Sequence, residues 1–272
     1  RQIVFVGWDN EAAPTCGGIY RARFFAKRPR LQTLVGLETL VPGMDGASFS
    51  SIGEGLSFDG RFVGFWGAWG EETRTLRLYC PQEGNRVRRD FCNHVGDFTP
   101  DPATGEIRGD PNSVCDDQSD PRWPLCYQEK PVPVNQGVFV YDIRADGLRL
   151  IARTGDGEQF DDFKYWHYSG APPGAGHGHG HAEPPRFRSA AFLSVYRRAG
   201  ATFRVAFQAR NGEIDPDTNA YGDVTDGIYF AESLGNSPIT VVPLVATGMD
   251  GTVLDPAATW DHDENPATPE VP

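Results

Sequence analysis

The stretch IGEGLSFDGRFVGFWG, residues 52–67, decides the fold class of this chain. Two short apolar runs flank the dipeptide Asp59–Gly60, which favours a two-residue hairpin turn because Asp and Gly tolerate the positive φ angles of such turns. The second run, RFVGFWG, mixes small and large apolar residues, as in a short packed strand. The stretch therefore predicts antiparallel strands joined by a tight turn.

The rest of the chain repeats this pattern. Two stretches resemble RFVGFWG (61–67), namely QIVFVGW (2–8) and FRVAFQA (203–209). Second strands are predicted further along each copy, at GGIYRARF (17–24), TLRLYC (75–80) with QGVFVYDI (136–143), and DGIYFAES (226–233). A third strand running into a Gly/Asp turn is predicted at 39–46, 150–157 and 243–251. The repeating element is therefore about four antiparallel strands, and copies of it must pack on one another to bury their faces.

Composition agrees with an all-β chain and excludes several functions. Of 272 residues 39% are hydrophobic, with 32 Gly and 22 Pro, and long apolar stretches of period 3.6 are missing. The net charge of −12 argues against a nucleic-acid partner, which requires clustered Lys and Arg. No segment approaches the twenty apolar residues of a membrane span. The chain opens at Arg1 inside a predicted strand, which favours a processed product whose targeting segment is gone.

Short motifs resemble the propeller-like repeats of secreted bacterial proteins of unknown function, whose units read S-x-D/N-G-x-V-A-F and then G-I-Y/F. The matching positions are Ser57, Asp59–Gly60, Val63–Gly64–Phe65, Val205–Ala206–Phe207 and Gly227–Ile228–Tyr229. The resemblance implies a β-propeller-like array and implies no particular activity. Three units are fewer than the four to eight blades of known propellers. Either the ring closes unusually, a partner chain completes it, or the chain is part of a larger propeller. A β-sandwich or a barrel is the alternative architecture.

The repeats predict one domain over 1–272, built from units at about 1–46, 47–157 and 158–251 and followed by a polar tail, 252–272. A long insertion interrupts the second unit at 81–135. A loop rich in His, Gly and Pro lies in the third unit at 170–185. We expect the insertions to emerge on one face, where repeat folds usually carry function.

The five cysteines indicate an oxidising compartment. None forms a C-x-x-C pair, and four lie in a polar region that disulfides would stabilise, namely Cys80, Cys92, Cys115 and Cys126. The pairs Cys80–Cys92 and Cys115–Cys126 leave Cys16 single, although the sequence does not fix the connectivity. The protein is therefore predicted to be secreted, extracellular or periplasmic, with reduced cytosolic thiols as the alternative.

The segment DPDTNAYGDVTD (215–226) has the oxygen spacing of a calcium loop. Its candidate ligands at positions 1, 3, 5, 7, 9 and 12 are Asp215, Asp217, Asn219, Tyr221 through its carbonyl, Asp223 and Asp226. Ala220 replaces the glycine of position 6, and the last ligand is Asp instead of Glu. A plain Asx-rich turn is the alternative. Bound calcium would stiffen a hairpin.

The segment GAGHGHGHAEPPRF (174–187) carries three imidazoles, on His177, His179 and His181. In an extended segment these positions share one face, so they could bind zinc or copper. Glycine between the histidines makes the loop costly to order, and the sequence nearby offers no obvious group that would orient the imidazole rings. A Gly/Pro loop without metal is therefore the favoured interpretation.

The segment FDDFKYWHYSG (160–170) carries the candidate ligand-binding residues Lys164, Trp166 and Tyr168. Tyr165 and His167 could act as an acid–base pair on a sugar ring, with Arg186 and Arg188 neutralising a uronate carboxylate. Aromatic stacking could equally hold a sugar without chemistry, and packing inside a blade is the third alternative. Trp66 and Trp69 are expected in the core, with a ligand platform as the lesser reading.

These patterns favour a secreted, calcium-stabilised, propeller-type protein that binds a glycan or an extracellular surface. An extracellular polysaccharide lyase or hydrolase is the competing hypothesis, and an assembly protein that self-associates is the third. No nucleophile elbow, phosphate-binding loop or dinucleotide motif supports another enzyme class.

Overall fold

The structure is a computed structural model that describes residues 2–9, 15–23, 30–53, 55–79, 127–154, 160, 163, 167–169, 186–188, 191–211, 225–234 and 238–250. These residues form the strands β1 (Gln2–Trp8), β2 (Gly17–Arg23), β3 (Leu31–Gly36), β4 (Phe49–Ile52), β5 (Ser57–Phe58), β6 (Phe62–Trp69), β7 (Thr73–Tyr79), β8 (Tyr127–Pro133), β9 (Gln136–Asp142), β10 (Gly147–Arg153), β11 (His167–Ser169), β12 (Arg186–Arg188), β13 (Ser194–Arg197), β14 (Phe203–Asn211), β15 (Thr225–Ser233) and β16 (Thr240–Ala246). The prediction of an all-β chain is confirmed. Its described strands form open antiparallel sheets, none of which closes into a barrel.

The chain divides into two compact units. Unit 1 contains Arg1–Glu72, Pro133–Tyr165 and Ser189–Pro272, and unit 2 contains Thr73–Val132 and Trp166–Arg188. Unit 2 has two antiparallel strand pairs, β7 with β8 and β11 with β12. The single domain with three repeat units stays a prediction. None of the described residues belongs to a helix long and apolar enough to cross a membrane.

Unit 1 contains three sheets whose strands follow one another as in a meander. The first sheet has the order β1-β2-β3, the second β10-β9-β6-β4, and the third β13-β14-β15-β16. In the second sheet β5 also pairs with β6, and the turn between them contains Asp59 and Gly60, the latter with φ of 100°. Asp59 Oδ1 accepts hydrogen bonds from the backbone N–H groups of Arg61 and Phe62. The predicted hairpin is therefore confirmed, but its two turn residues are Gly60 and Arg61. Asp59 still belongs to the strand pair, since its N–H donates to Phe62 O over 3.3 Å, and of the dipeptide only Gly60 has a positive φ.

Every residue of β6 is buried, because β6 is covered on both faces. On one face Val63, Phe65 and Trp69 pack in a core cluster with residues of the first sheet, such as Ile19. On the other face the ring of Phe62 lies 4.9 Å from that of Phe203 in the third sheet. The alternation of a strand sends successive side chains to opposite faces, so the continuous apolar run FVGFWGAW fits a strand between two sheets.

Each sheet of unit 1 has a β-bulge at the same place in its second hairpin. The register shifts between Ile19 and Tyr20, between Leu150 and Ala152, and between Ile228 and Tyr229. A glycine lies at the bulge because the partner backbone approaches closely: a Cβ on Gly137 or Gly227 would lie only 2.6 or 2.5 Å from a carbonyl oxygen of the neighbouring strand. This close approach explains why a glycine precedes the equivalent apolar pairs of the three sheets, at 19–20, 138–139 and 228–229.

The third strand of the first sheet does not lie at 39–46, as the sequence pattern predicted. It is β3, Leu31–Gly36, and a turn follows it, in which Thr39 N donates to Gly36 O over 3.0 Å and Thr39 Oγ1 accepts from Gly36 N over 2.9 Å. The Thr39 hydroxyl stops the strand by satisfying the backbone that would otherwise extend it. The apolar run across both segments concealed this boundary.

Candidate functional site

The long connections of unit 1 leave its three sheets at one end. The strands β1, β6 and β14 begin together, since Gln2 Nε2 donates to Gly60 O over 2.8 Å and the Arg61 guanidinium donates to Gly200 O. We call this end the turn end. The connections 9–16, 70–135 and 212–224 follow the opposite ends of these strands, which we call the insertion end. The connection 154–193 also begins there, because Arg153 in β10 pairs with Gly137, near the start of β9.

A bidentate ion pair fastens the turn end. Arg61 donates from Nε to Asp142 Oδ1 over 2.8 Å and from Nη2 to Oδ2 over 2.5 Å. The hydrogen bond that Arg61 donates to Asp142 raises the pKa of Arg61, against the opposing effect of burial. Burial raises the pKa of Asp142, but the hydrogen bonds from Arg61 and two backbone N–H groups outweigh it and leave this pKa below its ordinary value. The ion pair therefore fixes the start of β6 to the end of β9.

At the insertion end, the root of the connection 9–16 is closed by one aspartate. The carboxylate of Asp9 accepts hydrogen bonds from Thr15 N, from Thr15 Oγ1 and from Cys16 N, at 3.0, 2.6 and 3.0 Å. Asp9 N also donates to Cys16 O over 3.1 Å. Cys16 is exposed and carries a free thiol. The loop therefore leaves the first sheet from a fixed base.

A buried polar network fixes the root of the connection 70–135. Trp66 Nε1 donates to Gln136 Oε1 over 2.9 Å, and Gln136 Nε2 donates to Pro133 O over 3.0 Å. Thr154 Oγ1 donates to Val134 O over 2.9 Å. Gln136 is fully buried and Thr154 is 2% exposed. Since buried polar groups must be partnered, this network fixes the start of β9 relative to β6 and to the end of β10.

Sequence reasoning missed Gln136 and Thr154. The signal was a single amide residue at the head of the apolar run QGVFVYDI, where a polar side chain can remain only if it has buried partners. Trp66 and Trp69 are 3% and 5% exposed. They belong to the core, as the favoured interpretation of their sequence had it, and the ligand-platform reading is wrong.

The root of the connection 212–224 holds the last predicted calcium ligand. Asp226 lies in β15 directly opposite Arg210, and its Oδ2 is 3.6 Å from Arg210 Nε. The backbone oxygen of Asp226 accepts from Thr247 N and Oγ1 at 2.9 and 3.0 Å. Burial, followed by the charge of Asp226, raises the pKa of Tyr229. The other five candidate ligands lie outside the described residues, and calcium stays a prediction.

The strand pair β11–β12 of unit 2 brings together the predicted binding residues that the structure describes. Its register sets His167 opposite Arg188, Tyr168 opposite Phe187, and Ser169 opposite Arg186. Residues 17 to 21 positions apart in sequence are therefore neighbours on one ribbon. Directly opposite positions of an antiparallel pair share a face, so the two arginine positions and the histidine position fall on the same face.

Several predicted residues lie outside the described part of the chain. These are Lys164, Tyr165, Trp166, the histidines His177, His179 and His181, and the cysteines Cys80, Cys92, Cys115 and Cys126. Among the described residues no group of three or more His, Cys, Asp or Glu side chains gathers as a metal site. Zinc or copper, and the disulfides, remain predictions.

Comparisons with known proteins found no match for this chain. No protein-family model matches it, and neither a curated protein nor a solved structure is significantly similar to it. The interpretation of its function therefore rests on its own residues.

Proposed function

We propose that this protein is a propeller-type binding protein, secreted into an extracellular or periplasmic space, whose ribbon β11–β12 recognises an acidic glycan such as a polyuronate. The observation that carries the proposal is the register of that ribbon, with His167 opposite Arg188 and Arg186 two positions away along the same strand. Guanidinium groups bind carboxylates through paired hydrogen bonds. Two arginine positions on one face would offer two such groups to neighbouring carboxylates of a polyuronate chain.

The charge of the chain restricts where an anionic ligand can bind. The net charge of −12 repels a polyanion at long range. An acidic glycan is therefore expected to bind only where arginines contact its carboxylates directly, and the ribbon β11–β12 has two such positions, Arg186 and Arg188.

The architecture of unit 1 also favours a binding protein that uses the long segments between its strands. Long segments follow the insertion ends of three sheets, and their roots are fixed by Asp9, by Gln136 with Thr154, and by Arg210 with Asp226. Recognition loops on a rigid β-scaffold are a common arrangement in binding proteins. Calcium in the loop 215–226 would stiffen one of these connections.

Binding to polygalacturonate, measured by isothermal titration with a neutral glucan as reference, tests the proposal. We expect Arg186→Gln and Arg188→Gln each to weaken binding about tenfold or more, since a hydrogen bond between charged groups contributes about 1.5–3 kcal/mol. The matched control is Arg197→Gln, which removes the same charge from an exposed position of β13. Its affinity should stay within about twofold of the wild type.

If all three variants weaken binding equally, the effect is one of net charge and the proposal is wrong. The proposal is also wrong if the neutral glucan binds as tightly as polygalacturonate. The same samples test the lyase or hydrolase alternative. New unsaturated or reducing ends that disappear in Tyr165→Phe and His167→Gln would identify an enzyme with that acid–base pair.

A further inference from the structure

The central hairpins of the three sheets in unit 1 share one register. An aromatic pair lies at equivalent positions: Phe5 opposite Tyr20, Phe65 opposite Phe139, and Phe207 opposite Tyr229. The ring centroids of these pairs are 5.9, 5.5 and 6.1 Å apart. The bulge described above also follows at the same place in each sheet. These equivalences allow the environment of one residue to be compared across three sheets.

The aromatic pair is buried in two sheets and exposed in one. Phe65 and Phe139 are fully buried, because the first sheet packs over them. Phe207 and Tyr229 are 1% and 6% exposed. Phe5, by contrast, is 38% exposed. The first sheet therefore lacks the covering layer that its two equivalents have.

On the opposite face of the sheets, it is the third sheet that is exposed and the first and second that are buried. Ile19 and Val138, which follow the bulge glycine in the first and second sheets, are fully buried, whereas the equivalent Ile228 of the third sheet is 46% exposed. Other apolar side chains around Ile228 are exposed as well, namely Tyr196, Val242 and Leu244. The first sheet uses this face to pack on the second sheet, and the second uses it to pack on the third. The third sheet has the same face, but no sheet of the described residues covers it.

Neither exposed face is acidic, although the chain is. The alternating positions on the open face of the first sheet are uncharged: Ile3, Phe5, Gly7, Tyr20 and Ala22. On the third sheet Glu232 accepts hydrogen bonds from Arg198 and Arg204 at 2.6 and 3.1 Å. Charges are thus absent from one face and paired on the other, so the two faces do not repel each other.

We propose that the open face of the first sheet binds the open face of the third sheet of a second copy, so that two chains close a ring of six sheets. Each junction between copies then repeats the contact that the first sheet makes with the second within one chain. Six sheets lie within the four to eight blades of known propellers. Head-to-tail contacts of this kind generate a ring when the rotation closes.

The buried area suffices for a stable dimer. A face of three strands about seven residues long measures about 14 by 23 Å, from strand spacing and rise per residue. Counted over both partners, each junction therefore covers about 650 Å², and a ring has two junctions. The total of about 1,300 Å² lies within the range of stable standard-size interfaces, which begins at about 1,200 Å².

Mass in solution, by light scattering across a dilution series, tests the inference. The chain mass is 29.9 kDa, so we expect about twice that value for the wild type. Phe5→Lys and Ile228→Glu each place a charge on one face and should give monomers. Mixing the two monomers should restore the dimer, because the Lys face of one variant then meets the Glu face of the other. Leu40→Lys, at a residue 63% exposed outside both faces, should remain dimeric.

Three results would overturn the inference. A wild-type monomer at every concentration would show that no second copy closes the ring. Dissociation by only one of the two charged variants, without rescue on mixing, would indicate a symmetric contact of one face with itself. A mass above that of two chains would show that the rotation does not close after two copies. Circular dichroism of each variant separates dissociation from unfolding.

Discussion

The ion pair at the turn end gives a stability difference that can be worked from its geometry. In Asp142→Asn the amide keeps one oxygen for the backbone N–H of Arg144, 2.9 Å away in the wild type. It loses the charge opposite the Arg61 guanidinium, whose side chain is only 10% exposed. A lost charge-assisted hydrogen bond costs about 1.5–3 kcal/mol, and a buried charge left unpaired costs about 3–5 kcal/mol. Because Arg61 also donates to Gly200 O, we expect the free energy of unfolding to fall by about 2–4 kcal/mol.

Urea denaturation over a range of pH measures this difference and its sign. The pKa of Asp142 is lowered from its ordinary value of 3.8. The stabilisation is therefore present above 3.8 and is lost as the pH falls through the lowered pKa. The wild type and Asp142→Asn should differ at neutral pH and converge in acid. Protonation of the wild-type carboxyl produces the same neutral partner for Arg61.

The control is Glu71→Gln, which removes one negative charge from an exposed position outside both open faces. A solvated carboxylate contributes little to stability because water screens its charge. An equal loss of stability in both variants would refute the reasoning from burial. A difference between wild type and Asp142→Asn that persists in acid, after the carboxyl has been protonated, would refute the assignment to the ion pair.

Three further predictions concern the sheets and the calcium loop. Gly137→Ala should lower the free energy of unfolding by about 1–3 kcal/mol through overpacking at the bulge, whereas Gly147→Ala, whose Cβ would meet nothing closer than 4.0 Å, should leave the urea midpoint unchanged. Trp66→Phe should cost about 1–3 kcal/mol by leaving the buried Gln136 oxygen without its donor, on top of any packing loss; a midpoint equal to the wild type would contradict this. Added calcium should raise the melting temperature of the wild type but not of Asp217→Ala, and an equal rise in both would place the ion elsewhere.

Much of the fold was readable from local sequence. Strands predicted at 2–8, 17–24, 136–143 and 226–233 agree with β1, β2, β9 and β15 to within a residue at either end. Alternation and turn residues are local properties, so they are visible without partners. The end of β3 was not readable, because it depends on the side chain of Thr39 bonding to Gly36.

The candidate site was also predictable only in part from the sequence. The sequence supplied the residue types, with His167, Arg186 and Arg188 among aromatics in an acidic chain. It could not supply the register that makes His167 and Arg188 neighbours, because that pairing joins positions 21 residues apart across an intervening loop. Gln136 was also invisible, since its role depends on Trp66, 70 residues earlier.

By itself the sequence determined that this protein is built from short antiparallel strands, because the period of its apolar residues, its glycines and its Asp-Gly turn are fixed residue by residue. Only the tertiary structure decided which faces of those strands are covered. Phe5, Phe65 and Phe207 stand in the same local pattern, yet only Phe5 is exposed. Burial depends on what packs against a face, and packing partners are distant in sequence. The open faces of the first and third sheets are therefore a property of the assembled sheets alone.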